Sequence, residues 1–101
     1  MVENIRNSAQ VIGTTSLVVV PTLLAGQRTA LTIINTSTGG QTISLTWGGV
    51  AIAGEGIVLY PGGSWSESRE SVFTPSIKQV WAVASAASGT ISIHERVETV
   101  G

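Results

Sequence analysis

A chain of 101 residues has room for one domain, which on folding buries about two-thirds of the surface its unfolded form exposes. Charged residues make up 11% of it, against an ordinary value of about 25%, and the five basic side chains (Arg6, Arg28, Arg69, Lys78, Arg96) are scattered among six Glu, which leaves no electrostatic footprint for nucleic acid. With no Cys, no Asp and one His, thiolate sites and most nucleophilic triads or metal clusters cannot be built, and no cofactor is expected.

Mean hydropathy is positive at +0.37, yet the longest purely aliphatic run is Leu17–Val20, closed off by Pro21. A membrane span needs about 20 apolar residues, so no membrane partner is expected. The N-terminus carries charges of both signs without a long apolar block, which argues against a secretory signal peptide. Ser and Thr supply 12 residues each, so the surface is hydroxyl rather than charge, and a formal net charge of −1 offers little repulsion between copies. A homo-oligomer, taken as a trimer, is expected.

Residues 1–12 lack alternation and are expected as a flexible N-terminal arm, with 13–101 as the single folded domain. Beyond them, period-two alternation recurs in short runs between Gly, Pro, Ser and Thr, the signal for half-buried strands. These runs are Ser16–Val20, Thr29–Asn35, Thr42–Trp47, Ile57–Tyr60, Ser64–Glu67, Gln79–Ala84 and Thr90–Glu98. Seven short strands predict an all-β fold, a single antiparallel β-sandwich of Greek-key or jelly-roll type. The segment from Ser66 to Ile77, densest in charge, is expected as a long crossover loop.

Six glycines between Asn35 and Gly56 raise the question of a phosphate cradle. No helix follows any of them and the only Lys is Lys78, so they are expected as turns, Asn35–Gly40 closing a hairpin between the Leu31 and Ile43 strands. Asn35–Ser37 is formally a glycosylation sequon, of no use without export. His94 falls on the polar face of its strand and is expected to be solvated, and the pairs Glu67/Glu70 and Glu95/Glu98 are expected as surface charges. No enzyme is expected.

Trp47 and Trp81, in phase with Leu45 and Val83, are expected as core or half-core aromatics. Trp65, flanked by Ser64 and Ser66, is expected either at the core edge or half exposed as an interface anchor or sugar-stacking platform. With it, Arg69 and Phe73 in the charged loop, Arg28, and Ile5 in the arm are the candidate interface residues.

Taken together, "RTALTIINTS", "LTWGG", "GIVLYPGGSWSE", "VWAVAS" and "SGTISIHE", spanning Arg28 to Glu95, resemble a module of small tailed-phage virion proteins. The resemblance implies a non-enzymatic virion structural protein made in the host cytoplasm. Since the module stands almost alone here, it implies a capsid decoration or head-cement protein whose partner is the major capsid protein or another virion protein. The alternative implied is a tail- or fibre-associated module that binds a carbohydrate or host surface.

Overall fold

The computed structural model describes residues 2–70 and 73–99. Its eight strands are β1 (Val2–Ile12), β2 (Leu17–Val20), β3 (Gln27–Asn35), β4 (Ile43–Trp47), β5 (Ile57–Leu59), β6 (Ser64–Ser68), β7 (Val80–Ala84) and β8 (Gly89–Thr99). They form two four-stranded sheets, a first in the order β1-β8-β3-β6 and a second in the order β2-β7-β4-β5, with every neighbouring pair antiparallel. Within the described residues, β4 and β5 alone are consecutive in the chain and also paired. Every other connection crosses from one sheet to the other. This is the double Greek key of an eight-stranded jelly roll, one strand more than the alternation predicts.

The core lies where the inner faces meet. The first sheet supplies Ile12, Leu31, Ile33, Ile91 and Ile93, and the second Val20, Ile43, Leu45, Leu59, Val80, Ala82 and Ala84, all buried. Burying each large aliphatic side chain contributes about 1.5–3 kcal/mol relative to leaving it exposed. In β7 the core-facing row is Val80, Ala82 and Ala84, so Trp81 and Val83 turn the other way. Trp81 is half-buried as expected, but on the outer face of its sheet.

The added strand is the stretch expected as an arm. Residues 2–12 pair with β8 without a register break, from Val2 opposite Thr99 to Ile12 opposite Gly89. Its sequence lacks alternation because no second layer covers it: Val2 to Ala9 are all exposed, whichever face they lie on. Backbone pairing with β8, not burial, makes it a strand.

The Asn35–Gly40 segment does not close a hairpin either, since β3 and β4 belong to different sheets. Asn35 is wholly buried at this corner. Its Nδ2 donates to the carbonyls of Gln41 (2.9 Å) and Leu59 (2.8 Å), and its Oδ1 accepts from the Ser37 amide (2.9 Å). These bonds tie the end of β3 to both β4 and β5, which turns the chain out of the first sheet and into the second. The strand expected at Ser64–Glu67 is present and runs on to Ser68 as β6, so the crossover loop expected from Ser66 begins only after it and crosses to β7.

Candidate functional site

Two features of the first sheet point outward from the core: its outer face, and a groove beside β6. On the outer face the strands align in rows: Asn7, His94, Thr32 and Ser66 stand in one, Ile5, Arg96, Ala30 and Ser68 in the next, Ala9, Ser92, Ile34 and Ser64 in a third. Arg96 is the one formally charged residue among these twelve positions. Thr32 Oγ1 and Ser66 Oγ lie 3.0 Å apart. His94 Nδ1 is 2.6 Å from Asn7 Oδ1, while its Nε2 accepts from Arg96 Nε at 3.1 Å, so the network fixes the proton on Nδ1. The ring is tied into the sheet surface by both nitrogens.

Across the second sheet the corresponding face is covered. The β4–β5 loop folds back over it, with the Gly54 amide donating to Ser44 Oγ and the Ala51 amide to Ser16 Oγ, both at 2.9 Å. Ser44 and its register partner Val83, although outward-facing, are 1% and 5% exposed. The glycines serve this return. Gly56 has φ +75°, and a Cβ there would collide with the Leu45 carbonyl, so only glycine lets the chain re-enter β5 this close to β4. The turn reading of the glycine-rich stretch therefore stands, with a flap in place of plain punctuation.

The groove, about 490 Å³, runs along β6, and successive residues of that strand line it together with Ala30, Thr32 and Phe73. Trp65 is half-buried, packs against the core, and meets Trp47 edge to face at 6.4 Å and 74°. It forms the core edge and a groove wall together, which leaves no freely presented stacking platform. Two buried polar atoms here, Trp65 Nε1 and Glu67 Oε1, have no partner among the described residues, an arrangement that costs about 1–3 kcal/mol for each unsatisfied group.

The remaining candidates are spread apart. Ile5 and Phe73 are exposed. Arg69 spans the end of the first sheet, bonded to Glu98 at 3.1 and 3.3 Å and to Gln27 at 3.2 Å. Arg28 is a correction: it is wholly buried and no part of it reaches a surface. A register shift between Arg28 and Ala30 turns its side chain inward, as a β-bulge does. There Nε donates to Glu95 Oε2 at 2.7 Å, Nη1 to the carbonyls of Ser76 and Lys78, and Nη2 to that of Pro21. Arg6 of β1 reaches the other carboxylate oxygen of Glu95 at 3.1 Å.

Sequence reasoning missed this pair and the Asn35 corner. The signal for the first was present: Glu95 interrupts the row Ile91, Ile93, Val97, and a carboxylate in an apolar row needs a cation.

The sequence matches no protein-family model and no curated protein. Solved structures do match. One from work on Bacillus endospore appendages, described as disulfide-linked pili, aligns with TM-score 0.60 at 23% identity over 98% of this chain and 88% of its own. The Yersinia pseudotuberculosis-derived mitogen aligns with TM-score 0.54 at 12% identity over 99% and 91%. These likenesses establish a shared small all-β fold. The disulfide linkage of those pili has no counterpart in this chain, which has no Cys.

Proposed function

We propose that the chain is a non-enzymatic structural protein of a virion, a decoration protein that seats the outer face of its first sheet on the assembled head. The observation that carries this reading is the in-register face of mostly small, hydroxyl and amide side chains, with Ile5, Ile34 and His94 among them and Arg96, paired with Glu3 at the margin, as the one charge in its three rows. Interface cores are depleted of charge, and such a face desolvates at small cost. Contacts of this kind, repeated by the symmetry of a particle, gain strength by avidity without any one being strong. The resemblance carried by Arg28 to Glu95 supports the choice of particle, and the scarcity of charge supports association between copies.

The test is reconstitution. Heads purified without the protein are mixed with the wild-type chain and with Thr32→Arg and Ser92→Arg variants, and bound chain is measured after sedimentation. Wild type is expected to bind and both variants to fail while keeping their fold. Equal binding by all three, or absence of the chain from purified virions by mass spectrometry, rejects the reading.

A further inference from the structure

Beyond that reading, and independent of which particle is involved, we propose that copies of this chain associate head to tail: the free edge of β1 in one copy pairs antiparallel with the free edge of β6 in the next, so that the first sheet runs on across the contact. Among the described residues the two edges are open in a compatible way. Arg69 donates its amide to the Thr29 carbonyl (2.8 Å), and Asn35 donates to the Gly63 carbonyl (2.9 Å). Antiparallel alternation then leaves the N–H and C=O groups of Ser64, Ser66 and Ser68 on the open side of β6. On β8, the Thr90 carbonyl accepts from Thr36 (3.0 Å), so the even-numbered residues serve β3 and the odd-numbered ones serve β1. Through the register, the free groups of β1 are those of Ile5, Asn7 and Ala9.

Both sets carry side chains on the outer face, so an added β1 continues the alternation of the existing sheet. An even number of alternating strands also makes the new pair antiparallel without inverting the second copy.

Chemistry selects the register. With Ser66 opposite Asn7 of the second copy, Glu67 stands opposite Arg6, Trp65 opposite Ser8 and Ser68 opposite Ile5. The Arg6 guanidinium, bonded to Glu95 within its own copy, then stands beside the Glu67 carboxylate of the neighbouring copy. Ile5, 52% exposed, enters the end of the groove walled by Phe73, itself 45% exposed. Pairing β6 with β6 in the register that sets Ser66 opposite Ser68 brings Glu67 against Glu67, and pairing β1 with β1 leaves Glu67 unanswered. A second copy's β1 is therefore the occupant that the groove fits. Such a heterologous contact builds a ring or an open chain of copies.

Because the chain has no Cys, single-cysteine variants report the contact cleanly. Within one copy, positions 7 and 66 lie three strand spacings apart, roughly 14 Å, beyond the reach of a disulfide of about 4.4–6.8 Å between Cα atoms. Asn7→Cys and Ser66→Cys chains are mixed under mild oxidation, and the products are identified by mass. The expected result is a mixed dimer far in excess of either homodimer. Homodimers formed as readily by one variant alone overturn the proposal in favour of a two-fold contact. No mixed dimer, with wild type monomeric by light scattering, overturns it outright.

Ser66→Pro removes an N–H from the open side only and leaves the β3 ladder intact. It is expected to reduce the light-scattering mass to that of one chain with an unchanged circular dichroism spectrum, and an unchanged mass counts against the pairing. Protection of the Ser66→Cys thiol from alkylation by an oligosaccharide, rather than by added wild-type chain, assigns the groove to a glycan and overturns the proposal.

Discussion

The two sheets of this sandwich share an interior and differ outside it. The second covers its outer face with its own flap, so that Ser44 and Val83 are buried there. Among the described residues the first leaves its outer face bare and both its edges open, and β1, as long as β8 at 11 residues, is held by backbone pairing to β8 with little burial of its own. One layer is finished within the chain; the other has surface and hydrogen-bonding capacity to spare. The division suits the proposed function, since a rigid half can present an unfinished half without loosening it.

The sharpest way to break the contrast is at the charged plug of the first sheet. Removing one partner of a buried pair strands the other, so Glu95→Ala is expected to cost about 3–5 kcal/mol in urea denaturation. Because Arg28 also holds the Pro21, Ser76 and Lys78 carbonyls, the two crossing loops should lose hydrogen-exchange protection with it. On the second sheet, Gly56→Ala forces a side chain into a left-handed turn against the Leu45 carbonyl. A loss of about 1–3 kcal/mol is expected, with amide exchange at Ser44 and Val83 rising as the flap lifts.

Ser44→Ala deletes one flap hydrogen bond and is expected to cost about 0.5–1.5 kcal/mol, read from the shift in denaturation midpoint at constant slope. The smallest effect belongs to the bare face: Thr32→Arg should change stability by no more than about 0.5 kcal/mol while abolishing the attachment to heads proposed for that face. A large loss of stability there would show that the face is not free.

Most strands were legible in the sequence, and the reason is physical. Where both sheets cover a strand, as at Ile43, Leu45 and Trp47 or at Ile91 and Ile93, burial imprints alternation on the residues. β1 carries no imprint because nothing covers it. The corner at Asn35 was misread because a Gly-rich stretch after a strand suits a hairpin and a sheet crossing equally, and the buried amide that decides between them acts through Gln41 and Leu59, distant along the chain or in pairing. Arg28 was misplaced because the bulge that turns it inward is set by pairing with β8, invisible in β3 alone. The groove was half legible: Trp65 and Phe73 drew notice, but Glu67 passed for a solvated loop charge.

The position of β8 also governs how the molecule comes into being. It lies between β1 and β3, so until the C-terminal strand is in place the first sheet exists as two separate parts, and β1 has no neighbour to hold it. Pairing of Val2 with Thr99 spans nearly the whole chain, and contacts of such sequence separation form slowly. A chain interrupted before Gly89 therefore lacks the ordered β1 edge on which the proposed contact between copies depends.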